Sequence, residues 1–453
     1  MRRVLVGAVA IALCVTATPA MARAPMRAPT AADHLAEILR LSPAPEYRRF
    51  GTAAMGRVAG YAAGQLAKDH YEVVRDDVGG LDRWAVDYGR GHRPSLVRLA
   101  DRHAFKTESA FDIASTPSTG IECTVKKLAD VGPGDCGFVP FSDGSPEWKN
   151  VTFNAPADVA SIVSKGGVGA VVQGDTTRNL VYSVRLHTSI PAVVSVVGDD
   201  IVGQRVRLRA MGASVPAVAH NVIGILRPPV GASQYVALMG HMDGWFQAAA
   251  DNGGGAAGVL RAADELEASH PGVGVLVALF DGEEYGLLGS KRFAAELSSP
   301  GGVDGVQMSE LKAVMNLDAS SARASEVQDP VRSVAGHDAP IFSWRAMVFS
   351  EEPTLASLFI STFAAHGVFG LPVTSKVAKA TIGGGSWRTD AQWFGDAGVP
   401  VAWPVAGYPE YHTDGDLPSA MDKHDLDAVA DAAADFVGKV ATAPIGPVPE
   451  QLR

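Results

Sequence analysis

Cysteine is nearly absent from this chain, positive charge is never clustered, and after the first residues no apolar run is long enough to cross a bilayer. The three cysteines are Cys14, Cys123 and Cys136, and only the last two survive if the N-terminus is removed. That pair reads as one disulfide closing a short loop in an oxidising compartment, or else as two buried thiols. Neither is expected to be a metal ligand or a nucleophile. Lys and Arg number 39 against 49 Asp and Glu, and an acidic chain without a basic patch argues against nucleic acid as its main partner. Internal repeats and low-complexity tracts are missing too. What is present is enough apolar material for a packed core, 47% hydrophobic against 19% charged, in a length that suggests two or three domains.

The N-terminus is the first informative segment. Arg2 and Arg3 precede the apolar run Val4–Val15, and Ala20-Met21-Ala22 supplies a small-residue cleavage site. This is the pattern of a secretory signal peptide over residues 1–22, which would place the mature protein outside the cell or in the periplasm. A membrane anchor fits less well because the run is short, and Leu13 is bulky where a lipoprotein would have a small residue before its cysteine. A Pro- and Ala-rich linker, Ala24 to Thr30, follows.

From Ala31 to about Ala67 apolar residues recur at helical spacing, and Tyr71–Val74 and Trp84–Tyr88 read as short strands. The stretch from about Pro117 to Ser214 has a different texture, with a helix expected over Asp158–Lys165 and strands over Gly169–Val172 and Ser189–Val196. From Asn221 onward the pattern alternates: strand Tyr235–Met239, helix Gly255–Glu267, strand Gly274–Phe280, helix Leu287–Leu297, strand Ala313–Leu317. Such alternation implies βαβ units and an α/β fold with a mixed, largely parallel central sheet. In sheets of that kind ligands sit at the carboxyl ends of the strands.

Those ends carry the chemistry. The first strand runs into Gly240-His241-Met242-Asp243, the second into Asp281-Gly282-Glu283-Glu284, and the third into Asp318. Asp251 lies in Ala250-Asp251-Asn252-Gly253 at a helix start, and His412 in the loop Tyr408-Pro409-Glu410-Tyr411-His412. Taken singly, each is unremarkable: a histidine after a strand is usually a hydrogen-bonded loop residue, a Glu-Glu pair is usually solvated, and Asp251 could cap its helix. Together, two histidines and several carboxylates at strand ends make a nitrogen and oxygen donor set for a metal. Gly383-Gly384-Gly385-Ser386 lacks the lysine of a phosphate-binding loop and reads as a loop lining a cleft. Asp414 and Asp416 are read as orienting the loop after His412, and His270, His337 and His424 as surface or loop residues.

These motifs resemble the zinc exopeptidases that include leucine-type aminopeptidases and glutamate carboxypeptidase. The matching pieces are His241-Met242-Asp243, Asp251-Asn252-Gly253, Glu283 to Ser290, Asn316-Leu317-Asp318, Thr389 to Phe394 with Gly398-Val399-Pro400, and Tyr411-His412-Thr413. The stretch ending Ile190-Pro191-Ala192-Val193-Val194 is similar to the protease-associated domain inserted in many secreted peptidases. The resemblance implies helices on both faces of the central sheet and a smaller inserted α/β domain. The divisions are then 1–22 signal peptide, 31–116 N-terminal part of the peptidase domain, 117–214 inserted domain and 215–442 catalytic domain. It implies two zinc ions, bridged by Asp251, with His241 and Asp318 on one and Glu284 and His412 on the other. A cis peptide is implied between Asp251 and Asn252. Asp243 would bond the far nitrogen of His241 and fix its tautomer. Asn252 departs from the family, which often has a second aspartate there.

The implied reaction is hydrolysis of N-terminal residues from peptides by a water held between the ions, its pKa lowered from about 15.7 toward about 7. Glu283 would be the general base and Tyr411 the oxyanion donor. Within the family a carboxypeptidase or dipeptidase is the alternative, since Tyr411 and the His-Met-Asp-Gly-Trp run ending at Trp245 resemble that branch and Arg388 is a candidate carboxylate anchor. A related glutamine cyclase uses one zinc and needs fewer ligands. A non-catalytic binding protein of this fold should have lost ligands or the base, yet all six residues are present.

Overall fold

The structure, a computed structural model, describes residues 28–140, 155–174, 180, 185–321, 344–382, 387–408 and 410–450. The expected signal peptide, residues 322–343 with His337, and the glycine-rich loop 383–386 lie outside them.

Two eight-stranded mixed sheets organise the chain. The first contains β1 (Glu72–Val86), β10 (Gly212–Leu226), β11 (Tyr235–His241), β12 (Gly274–Phe280), β13 (Leu311–Asn316), β14 (Trp344–Phe349), β15 (Leu371–Thr374) and β16 (Val401–Gly407). Their spatial order is β1-β10-β12-β11-β13-β16-β14-β15. The centre, β12-β11-β13-β16, is parallel, and antiparallel strands flank it. β11 and β12 are buried at every residue, as expected of strands covered on both faces. Alternate side chains serve opposite layers. Val236 and Leu238 join the core beneath α1 (Ala31–Leu41), α2 (Ala53–Lys68), α4 (Gly255–Ser269), α6 (Pro353–Ala365) and α9 (Lys423–Thr442). Ala237 and Met239 join the core beneath α5 (Leu288–Leu297), α7 (Ser375–Ile382) and α8 (Gln392–Asp396).

The second sheet has the order β3-β2-β9-β5-β6-β7-β8-β4. Its strands are β2 (Ser95–Arg98), β3 (Ala104–Phe105), β4 (Thr107–Ser109), β5 (Ile121–Lys127), β6 (Cys136–Val139), β7 (Gly169–Gln173), β8 (Ala192–Ser195) and β9 (Arg205–Arg209). With the helix α3 (Ala155–Ser164) it encloses a core of its own. Cys123 and Cys136 are disulfide-bonded, linking β5 to its neighbour β6.

Three local expectations are corrected. The helical stretch from Ala31 is two helices, parted by a segment carrying Pro43 and Pro45, which lack the amide a helix needs. The two short strands at Tyr71–Val74 and Trp84–Tyr88 are one strand, β1, paired antiparallel with β10 through an irregularity between Val78 and Leu81. Gly79 and Gly80 occupy it, Gly80 at φ +75°. β8 is shorter than expected because only Ala192–Ser195 find partners.

The N-terminal helix is fixed at both levels. Thr30 and Asp33 form a capping box, and Ala31, His34, Leu35 and Ile38 turn one face inward. Burial holds the pKa of His34 down at about 4, with its Nδ1 2.7 Å from the hydroxyl of Tyr61. A histidine whose folded pKa lies below its unfolded value of about 6.5 binds its proton more readily in the unfolded chain, so stability falls as pH drops through that window. Between pH 7 and pH 5 this amounts to about 2 kcal/mol. Urea denaturation of the wild type and of His34→Gln at both pH values is expected to show a smaller acid loss in the variant by that amount.

Candidate metal centre

The order of the central strands reverses at β11: the next strand, β12, lies on one side of it and β13 on the other. Beyond the carboxyl ends of such a pair the connections diverge and leave a crevice. His241 is the last residue of β11, Glu283 and Glu284 follow β12, and Asp318 follows β13. Asp251 comes from the turn before α4, and His412 from the loop after β16. The peptide between Asp251 and Asn252 is cis.

Six of the eight expected site residues converge as two adjoining groups and the acid beside them. In the first group, Nε2 of His241 is 3.2 Å from Oδ1 of Asp251 and 3.3 Å from Oδ1 of Asp318. In the second, Nε2 of His412 is 3.1 Å from Oδ2 of Asp251 and 3.2 Å from Oε2 of Glu284. Asp251 thus gives one oxygen to each group, and the ligand atoms within each group lie within 4.8 Å of one another. Donors placed about 2.0 Å from one tetrahedral ion stand about 3.3 Å apart, so these spacings suit zinc in each group.

The electrostatics point the same way. Burial, then the carboxylates of Asp318, Glu284 and Asp390, push the Glu283 carboxyl well above the usual range against the pull of His241. Burial opposes the charge on His412, yet Glu284 and Asp251 outweigh it and push that imidazole up to about 10. Oε1 of Glu284, buried, has no hydrogen-bond partner among the described residues. Crowded carboxylates with an orphaned oxygen are what a site built around cations looks like in the protein alone. The donors present fit the group that the sequence implied.

The remaining two residues, Asp243 and Tyr411, adjoin these groups. The closer partner of His241 Nδ1 is the backbone carbonyl of Asp243, at 3.2 Å, with the Asp243 carboxylate 3.4 Å away. That carboxylate also accepts the amides of Glu283, at 3.1 Å, and Glu284, at 3.3 Å. It therefore orients the turn carrying both glutamates while its main chain orients the histidine. Tyr411 stacks on His412, ring centroids 3.8 Å apart and planes 18° apart, and packs edge-on against Tyr408. Burial, then Asp251 and Glu284, push its phenol well above its ordinary pKa, leaving it a proton donor.

Other side chains position the site without having been assigned that role from sequence. Thr389 donates to Oδ2 of Asp318 at 2.6 Å and accepts from the Asn316 amide at 2.7 Å. Trp245 Nε1 donates to Oε2 of Glu284 at 2.7 Å. Asn252 donates to the carbonyls of His241 and Leu317, at 3.2 and 2.9 Å, and so ties the ends of β11 and β13 together. An aspartate has no proton donor to make those bonds when ionised, which accounts physically for asparagine here. Asp416, read from the sequence as orienting the loop after His412, accepts the amides of Ala250 and Asp251. Spacing pointed toward Asp416, four residues after His412, whereas nothing in the sequence pointed to Arg48. That arginine, fully buried, donates to the carbonyls of Met242, Gln247 and Ala248. Arg388, exposed, and His270 and His424, also exposed, join neither group.

Residues 221–437 match the family described as Peptidase family M28. Among curated proteins, the probable glutamate carboxypeptidase LAMP1 of Arabidopsis thaliana is 32% identical over 94 residues, covering 20% of this chain and 14% of that protein. Among solved structures, a zinc aminopeptidase of Bacillus subtilis is similar with a TM-score of 0.66 at 18% identity, over 94% of this chain and 99% of that one. A peptidase M28 precursor from Shewanella amazonensis SB2B is similar with a TM-score of 0.69 at 18% identity, over 93% and 95%. At these identities the structural likeness is one of fold.

A protein that binds a cation only when folded gains stability from it, about 2.7 kcal/mol at a free concentration one hundred times Kd. Dialysis against a chelator is expected to lower the melting temperature, and zinc, but not magnesium, to restore it. Calorimetric melting of the stripped and reloaded protein makes the comparison.

Proposed function

Taking as premise that residues 221–437 belong to peptidase family M28, we propose that the chain is a zinc-dependent exopeptidase that removes N-terminal residues from peptides. The observation that carries this reading is the division of Asp251 between two donor groups, with Glu283 beside them. His241 and Asp318 would hold one zinc ion, Glu284 and His412 the other, and Asp251 both. When bound, such a pair polarises water and carbonyl oxygen and offsets negative charge.

The chain's own groups do the rest. Glu283, set by Asp243 and held in a buried, acidic setting, accepts the proton of the attacking water as its oxygen adds to the scissile carbonyl. Glu283 then returns that proton to the departing amine nitrogen, and the peptide C–N bond breaks. Tyr411, kept protonated, donates toward the oxygen on which negative charge grows. Trp245 and Thr389 hold Glu284 and Asp318 in place throughout.

The location of the enzyme follows from its first residues and its disulfide: residues 1–22 direct export, and the Cys123–Cys136 bond persists in an oxidising compartment. No helix among the described residues is long and apolar enough to cross a membrane. The segment 117–214, read as a protease-associated insertion, would wall the entrance to the site. It reaches the metal loop through Leu180, whose amide donates to Asp414 at 2.9 Å.

Glu283→Gln is expected to keep two equivalents of zinc by elemental analysis while turnover of an aminoacyl-nitroanilide falls about 10²–10⁴-fold. A variant that stays active removes Glu283 from the base role. Peptides with a free amino terminus are expected to be cut and N-blocked ones spared. Release of C-terminal residues from blocked peptides would move the assignment to a carboxypeptidase.

A further inference from the structure

The carboxylate of Asp251 lies at the end of a short segment, Gln247–Asp251, that belongs to no strand and is fully buried from Ala248 onward. Its conformation is unusual, with Ala248 at positive φ and Phe246, just before the segment, likewise. Two charged side chains from distant parts of the chain grip it. On the carbonyl side, the two terminal nitrogens of Arg48 donate to Gln247 and Ala248, while its Nε donates to Met242, ahead of the segment, at 2.7 Å. On the amide side, Asp416 accepts from Ala250 at 2.8 Å and from Asp251 at 3.0 Å, and its own carbonyl accepts from Ala249 at 3.2 Å. Tyr408 donates at 2.9 Å to Oδ2 of Asp416, the oxygen that accepts from Asp251.

The slot for the guanidinium is built on purpose. A Cβ at Gly244 would stand 3.2 Å from Arg48 Nη2, and one at Gly253 would stand 3.1 Å from it, so side chains at either place would crowd the arginine. Among the described residues no carboxylate bonds to Arg48, and its three hydrogen bonds all go to main-chain carbonyls. The carboxylates that favour its charge, Asp416, Asp243, Asp251 and Glu284, are those of the site and its support. A cation that cost so much to bury and neutralises no single acid is placed for its three-way grip and for its field.

We infer that Arg48 is a positioning residue for the shared carboxylate: with Asp416 it fixes the Gln247–Asp251 segment so that the two oxygens of Asp251 face both donor groups at once. Arg48 lies outside residues 221–437, so the N-terminal segment completes a centre whose other parts all come from the peptidase region. The inference rests on the metal reading given above for its effect on zinc. Its effect on the segment itself does not.

The experiment uses the full-length protein as Arg48→Met, Arg48→Lys and Asp416→Asn. In Arg48→Met, zinc affinity measured by chelator competition is expected to weaken 10- to 100-fold, the range for groups that support metal ligands. The visible spectrum of the cobalt-loaded protein should shift, and kcat should fall with KM changed less than about twofold. Arg48→Lys, which keeps the charge but not the fork, should recover part of each loss. Amide exchange over 247–253 should quicken in Arg48→Met and Asp416→Asn while β11 and β12 stay protected. Unchanged exchange in that segment overturns the inference, as does a uniform rise in exchange with zinc affinity per folded molecule unaltered. If the wild type binds no zinc, the metal reading falls, and the grip is then decided by the exchange data alone.

Discussion

One carboxylate turned two ways organises this protein. Asp251 offers Oδ1 to His241 and Oδ2 to His412, and almost everything near it serves to keep that orientation. A buried carboxylate shared between two imidazoles would be costly if its surroundings were free to relax, since neither group could be guaranteed its partner. The structure removes that freedom. Asn252 ties the next residue to β11 and β13, Asp416 holds the amides, and Arg48 holds the carbonyls behind. Each of these is polar, buried and bonded to main chain rather than to the donors themselves. The site is therefore stiff because its backbone is stiff.

The sheet supplies the coarse geometry for that arrangement. Parallel strands with fully buried faces deliver His241, the Glu283-Glu284 turn and Asp318 to one rim, because the chain crosses from β12 to the far side of β11 before forming β13. Aliphatic layers on each face, rather than the polar residues at the rim, hold the strands there. The rim is then free to accumulate like charges. Glu283, Glu284, Asp318 and Asp390 gather there, and burial together with these neighbouring carboxylates pushes Glu283 upward.

The second sheet is attached by polar as well as apolar contacts, and these run toward the same place. Arg49, next in the chain to Arg48, donates to the Tyr88 hydroxyl at 2.6 Å and approaches Glu108 of β4 at 3.5 Å. Lys106 pairs with Asp414 at 2.5 Å, and Leu180 and Asp414 exchange backbone and side-chain bonds two residues from His412. Phe111, Trp245 and Tyr285 pack between, with Trp245 bonded to Glu284. Adjacent arginines facing opposite ways thus link the support of the metal loop to the neighbouring sheet.

The sequence by itself determined the parallel heart of the fold and the donors. Apolar runs such as Val275–Phe280, alternating with helix-length segments, read as strands buried on both faces, and their ends together gather histidine and carboxylates that singly would be ordinary loop residues. It showed only the two ends of β1, because polar Arg75, Asp76 and Asp77 hide the period between them until β10 pairs with the whole strand. Nor did it show that the Asp243 carboxylate serves the glutamate turn, or that Thr389 reaches Asp318. Least of all could it show Arg48, 203 positions from Asp251, because a side chain bonded to carbonyls leaves no pattern: every residue has a carbonyl, and only the folded chain decides which ones meet.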